Sequence, residues 1–133
     1  MKKILSSLLI IFALISSISG CTSKNKSQYN YKGENENWYA EYTVSKLNNR
    51  KTRKLTLTYK GNLSDLQSSK CLKYSYKTDI NHGEGEIYLD PSIDSKKFTH
   101  EVYSESSNII IKKASSVSVV ISLDDKSESI ELH

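Results

Sequence analysis

The chain predicts an all-β domain, an antiparallel β-sandwich of about seven short strands, and three observations carry that prediction. Apolar residues recur with period two rather than 3.6 along most of the chain. Turn-forming residues interrupt these runs at short intervals, and no long helical stripe follows Cys21. An immunoglobulin-like topology is the leading expectation and a small barrel the alternative, because alternation does not reveal strand order.

Taken in order, WYAEYTV at 38–44 sets Trp38, Ala40, Tyr42 and Val44 on one face and Tyr39, Glu41 and Thr43 on the other. KLTLTY at 54–59 opposes Leu55, Leu57 and Tyr59 to Lys54, Thr56 and Thr58. Both runs read as half-buried strands. Between them, Asn48-Asn49 suits a hairpin turn. CLKYSYK at 71–77 and GEIYL at 85–89 continue the pattern, with Leu72, Tyr74 and Tyr76 and then Ile87 and Leu89 each sharing a face. Asp90-Pro91 opens a non-strand interval that suits one short helical turn, capped by Asp90 with Pro91 at its first position. A further strand is expected within FTHEVYSE at 98–105, and IIIKK after Ser106-Ser107-Asn108 suits another strand or an edge segment. SVSVVISL at 116–123 alternates Val117, Val119, Ile121 and Leu123 against serines and Val120. Asp124-Asp125-Lys126 then turns the chain into SESIEL, which returns Ile130 and Leu132 to the core.

The start of the chain has a different character. Met1-Lys2-Lys3 precedes ILSSLLIIFALISSISG at 4–20, an uncharged run of 17 residues, which is the charged n-region and apolar h-region of a secretory signal. A membrane-spanning helix needs about 20 apolar residues, whereas this run ends in serines. Residues 18–21, Ile-Ser-Gly-Cys, resemble the lipobox of bacterial lipoproteins, in which an aliphatic residue and two small residues precede the modified cysteine. The resemblance implies diacylglyceryl transfer to the Cys21 thiol, cleavage between Gly20 and Cys21, and stable anchoring by more than one acyl chain. An ordinary signal with an incidental cysteine is the alternative. TSKNKSQYNYKGENEN at 22–37 has no helical stripe and little alternation. The expected organisation is therefore a signal at 1–20, a lipidated N-terminus and flexible tether at 21–37, and the sandwich at 38–133.

Removing residues 1–20 from the 133-residue chain leaves 113, enough for one domain with one modest core. Loss of Lys2 and Lys3 takes the 19 basic residues to 17 against 15 acidic ones, and such a near-balanced surface argues against a nucleic-acid partner. Of the two cysteines, a lipidated Cys21 leaves Cys71 without an intramolecular partner. A Cys21–Cys71 disulfide would compete with lipidation, so Cys71 is expected free and mostly buried at a strand start.

The order of segments is similar to a family of small lipoproteins from Gram-positive bacteria. The likeness lies in Cys21, the polar stretch after it, YKGENENWYAEYTV at 31–44, KLTLTYKG at 54–61, GEGEIYL at 83–89 and the terminal hairpin. It implies an extracellular β-rich domain with no established enzymatic role, on the outer face of the cell membrane.

Chemical motifs are sparse. His82 with Glu84 and Glu86 could set carboxylates near an imidazole, but NHGEGE also reads as a solvated loop whose glycines relieve the backbone. No metal site and no cofactor are expected. His82, His100 and His133 accompany many serines, yet neither a Gly-x-Ser-x-Gly turn nor a His-Glu-x-x-His helix is present, so no enzyme is expected. Lys46, Arg50, Lys51, Arg53 and Lys54 cluster on the first hairpin, where they suit contact with phospholipid headgroups or an anionic wall polymer. Solubility and edge protection explain the same charges. Among nine tyrosines, Tyr39 and Tyr88 fall on outward positions and would form a carbohydrate or peptide site if adjacent. The leading expectation is a lipid-anchored, non-catalytic domain that binds or assembles with an envelope component. An extracytoplasmic small-ligand or ion-binding sensor is the alternative.

Overall fold

The computed structural model describes residues 26–105 and 109–133; the expected signal, Cys21 and residues 106–108 lie outside the described residues. Among the described residues, eight strands and one short helix follow one another: β1 (Lys26–Glu34), β2 (Trp38–Leu47), β3 (Arg50–Tyr59), α1 (Leu63–Gln67), β4 (Cys71–Lys77), β5 (His82–Tyr88), β6 (Lys97–Ser104), β7 (Val117–Leu123) and β8 (Lys126–Leu132). They make two four-stranded antiparallel sheets, β1-β2-β3-β6 and β5-β4-β7-β8, packed face to face as a β-sandwich.

Alternation puts the expected residues between the sheets. Trp38, Ala40, Tyr42 and Val44 of β2 and Leu55 and Leu57 of β3 meet Leu72 and Tyr76 of β4 and Val117, Val119 and Ile121 of β7, all buried. Each such aliphatic side chain contributes on the order of 1.5–3 kcal/mol by leaving water. Trp38 lies against Tyr59 and Phe98 at centroid separations of 5.0 and 6.4 Å, and Tyr42 lies 5.0 Å from Tyr76, so aromatic rings span the gap between sheets.

The flexible stretch expected over 21–37 is corrected over most of its described length, because Lys26–Glu34 forms β1 and pairs with β2 along nine residues. Tyr29, Tyr31 and Gly33 share β1's inward face, and Tyr31 is buried. Its hydroxyl accepts a 2.7 Å hydrogen bond from the Ala114 N–H. Further along, Lys32 and His133 exchange two backbone hydrogen bonds of 3.0 Å, which ties the edge of one sheet to the end of the other. Gly33 allows this seam: a Cβ there would stand 2.5 Å from the Glu131 carbonyl oxygen.

Three smaller differences lie in the connections between strands. Residues 109–113, expected as a strand or an edge segment, run as irregular chain with Ile109 buried. Asp90 accepts the Ser92 N–H at 2.7 Å and Ile93 N–H bonds the Asp90 carbonyl, so a turn replaces the expected helical turn. The helix forms instead at Leu63–Gln67, where Leu66 is its buried anchor and Tyr59 donates to Asp65 at 3.0 Å.

Candidate functional site: the basic hairpin end

The basic cluster sits on the β2–β3 hairpin. Asn48 takes a φ of 54°, a left-handed conformation that asparagine tolerates, and closes the turn between the paired residues Leu47 and Arg50. Strand alternation then divides the cations. Lys46 opposes Lys51 and Val44 opposes Arg53 on the core-facing side, while Arg50 and Lys54 face outward. Lys46, Leu47, Asn48, Asn49 and Arg50 are all exposed. On the outer face the Arg50 guanidinium lies 4.1 Å from the ring centroid of Tyr103, itself 52% exposed, so cationic and aromatic groups form one surface. Tyr103 escaped the sequence reading, although its alternate position in β6 was visible there.

Arg53 does something different from what a surface contact requires. It is half-buried, with its guanidinium 5.7 Å from the Tyr76 ring centroid and its Nε without a hydrogen-bond partner. The hydroxyls of Tyr42 and Tyr76 are likewise buried and unpartnered. Burial pushes the pKa of both phenols up, and the nearby Arg53 charge opposes that rise. Arg53 is thus a wedge at the core margin.

Tyr39 and Tyr88 do not share a patch. Tyr39 is half-buried on the outer face of the first sheet, between Glu34 and Thr58. Tyr88 is 80% exposed on the edge strand β5 of the other sheet. The two tyrosines belong to opposite outer faces.

The histidines are also separated. His82, Glu84 and Glu86 lie exposed along the outer side of β5, opposite Lys77, Ser75 and Lys73. Glu86 accepts a 3.0 Å bond from the Cys71 thiol, which raises the thiol's pKa. Cys71 is free and half-buried rather than fully enclosed. Among the described residues no group of three His, Cys, Asp or Glu side chains could hold a metal ion. His100 points between the sheets, with its Nδ1 2.8 Å from the Tyr74 hydroxyl. The void beside that pair, lined by Leu55, Leu57, Phe98 and Ile87, is too small to admit water.

Glycines in NHGEGE follow from this packing. Neither Gly83 nor Gly85 has a positive φ, so backbone freedom does not explain them. A Cβ at Gly83 would strike the Tyr76 ring and one at Gly85 the Tyr74 ring. The glycines make room for two aromatic side chains from the neighbouring strand.

Several open depressions remain, among them one of about 630 Å³ beside Lys77, His82 and Glu84. Another, of about 440 Å³, crosses the outer face of β4, β5 and β7 over Lys73, Ser75, Glu84 and Val120. A further one, about 540 Å³, lies where Asp65, Asp124, Asp125 and Glu128, with Lys126 among them, surround Trp38 and Tyr59. That acidic bowl is at the far end of β2 and β3 from the basic turn, since Trp38 pairs with Tyr59 and Leu47 with Arg50.

No family model, curated protein or solved structure matches this chain.

Proposed function

We propose that this is a lipid-anchored, non-catalytic cell-envelope protein that displays an immunoglobulin-like sandwich outside the cytoplasmic membrane and assembles there with an envelope component. The observation that carries the reading is the Ile18-Ser19-Gly20-Cys21 sequence only five residues before Lys26, where β1 begins. Such spacing would hold the domain close to the lipid-bearing residue.

Strand order supports the finer fold assignment. Immunoglobulin-type sandwiches pair strand B with E in one sheet and C with F in the other. Here β3 pairs with β6 and β4 with β7, the same three-strand offset in both sheets. In those terms β2-β3-β6 correspond to A-B-E, and β5-β4-β7-β8 to C′-C-F-G. β1 is an additional strand outside A. The domain departs from antibody domains in placing its buried tryptophan on β2 and in having a free Cys71 instead of an intersheet disulfide.

Envelope assembly draws support from the exposed Tyr88 on the edge strand β5, an amphipathic ring at a position where a partner can add contact area. Intact-mass measurement of protein extracted from membranes tests the anchor. The expected species begins at Cys21 and carries the mass of thioether-linked lipid, and Cys21→Ala releases the domain from the membrane fraction. An unacylated mature N-terminus overturns the reading. Photo-crosslinking from position 88 in intact cells tests assembly, with a discrete envelope adduct expected and none if the proposal fails.

A further inference from the structure

We propose that the hairpin end of the sandwich, formed by Lys26, Lys46, Leu47, Arg50 and Lys51, rests on the anionic phospholipid surface beside the anchor. This inference rests on the lipid-anchor reading and gives the anchored domain a direction.

Three observations converge on it. The first is where the chain emerges. Lys26 opens β1 and pairs with Leu47, so the N-terminal end of β1 and the β2–β3 turn lie side by side. An extended chain spans at most about 3.5 Å per residue, so Cys21 lies within roughly 18 Å of Lys26. An acylated Cys21 therefore brings this end of the domain, rather than the acidic bowl, nearest to the bilayer. Along β2 the two ends are separated by nine residue steps, or roughly 30 Å.

The second is charge. No Asp or Glu occurs between Tyr42 and Ser64, a stretch that contains Lys46, Arg50, Lys51, Arg53, Lys54 and Lys60. Exposed Lys26, Lys46 and Arg50 surround the turn, with Glu101 further along β6 opposite Lys54, while Asp65, Asp124, Asp125 and Glu128, with Lys126 among them, stand at the other end. Closely spaced cations near a membrane are attracted to anionic headgroups over about a Debye length, roughly 8 Å at physiological salt. At the opposite end the four carboxylates outnumber the single Lys126 lining the same bowl, so the charge at both ends favours the same orientation.

The third is an apolar component at the same place. Leu47 is 43% exposed and shares the outer face with the Arg50–Tyr103 pair. A leucine and a tyrosine beside cations match a headgroup boundary, where an aromatic ring keeps its hydroxyl wet and its ring partly out of water. A soluble anionic polymer would make use of the cations but not of Leu47.

Hydrogen exchange on the full membrane-extracted protein decides the matter. The protein is reconstituted in vesicles of phosphatidylcholine alone or of phosphatidylcholine mixed with phosphatidylglycerol. Amides within residues 45–52 are expected to exchange several-fold more slowly on the mixed vesicles, with residues 122–128 unchanged. Combined Lys46→Glu, Arg50→Glu and Lys51→Glu abolishes that difference, while unchanged exchange in β4 and β7 shows that the variant is folded. Leu47→Ser reduces the protection without altering charge. Equal exchange on the two vesicle types, or protection at 122–128 instead, overturns the proposal. Equal protection of 45–52 by soluble poly(glycerol phosphate) without vesicles also overturns it, in favour of a wall polymer. Intact mass separates the two readings: an unacylated chain sinks the anchor, and adding that chain to the same two vesicle types still tests the docking surface.

Discussion

At the residue scale, small side chains and single carboxylates hold positions that bulkier or neutral ones cannot. Gly85 sits under the Tyr74 ring, whose hydroxyl is already bonded to His100 at 2.8 Å. Gly85→Ala forces that ring to move within a packed layer, and we expect a loss of about 1–3 kcal/mol in urea unfolding. Asp124 acts through hydrogen bonds instead. It occupies the β7–β8 turn at φ 52°, and its Oδ1 accepts the N–H groups of Lys70 and Cys71 at 2.9 and 3.0 Å. Those bonds hold its carboxyl below the ordinary carboxylate range. The unfolded chain then binds the proton more readily, so the contribution is complete above about pH 4 and declines as pH falls through the folded-state value. Asp124→Asn should flatten the acid limb of a stability-versus-pH curve; an unchanged slope below about pH 4 would remove Asp124 from the account. The Asp124 turn was readable from its composition, but its bond to β4 was not, because the partners are 53 and 54 positions away. The glycines of NHGEGE were equally visible, and their cause lay in the tyrosines of the adjacent strand.

At the element scale, period-two alternation marked β2, β3, β4, β7 and β8 because each places several large apolar residues on one face. It failed at β1, whose inward positions are Ser27, Tyr29, Tyr31 and Gly33 among polar neighbours. An edge strand with one sheet neighbour buries less, so its composition resembles that of a linker. It failed at α1 because five residues make too little helix for a 3.6 period to emerge. The aliphatic run Ile109-Ile110-Ile111 misled in the other direction: Ile109 is buried and Ile110 is 48% exposed, without strand pairing. The same limits apply to the candidate site. The cluster of cations was legible, but the inward turn of Arg53 and the contact of Arg50 with Tyr103 depend on register and on β6. β1 also carries a direct test of its own. Gly33→Ala pushes a methyl group toward the Glu131 backbone carbonyl, which cannot rotate away as a side chain can. We expect a loss of about 1–3 kcal/mol together with faster amide exchange at Lys32 and His133, the paired residues of the seam. Faster exchange confined to the β2–β3 turn would contradict this account of the seam.

At the scale of the whole molecule, connection order matters more than any one strand. The chain builds β1, β2 and β3 as a meander, crosses to the second sheet for β4 and β5, returns for β6 and crosses again for β7 and β8. Neither β3·β6 nor β4·β7 can form by closing a short turn, and each pairing encloses strands of the other sheet in its loop. The β1–β8 seam is more distant still, since Lys32 meets His133. Loop-closure entropy must be spent before these contacts reward it, which places a sandwich of this kind among slow two-state folders. Trp38 is the chain's one tryptophan and is 1% exposed between Tyr59 and Phe98, contacts that join β2, β3 and β6. Its fluorescence therefore reports assembly of the first sheet together with its packing on the second. Stopped-flow refolding of the domain should show the tryptophan signal changing over milliseconds to seconds, roughly the range of β-sandwiches. Leu72→Ala, which empties a fully buried site in the opposite sheet, should destabilise by about 2–5 kcal/mol and alter the same tryptophan-detected transition. Microsecond recovery of Trp38 fluorescence, or a Trp38 transition insensitive to Leu72→Ala, would mean that the first sheet assembles on its own and that the interlocked crossings do not govern folding.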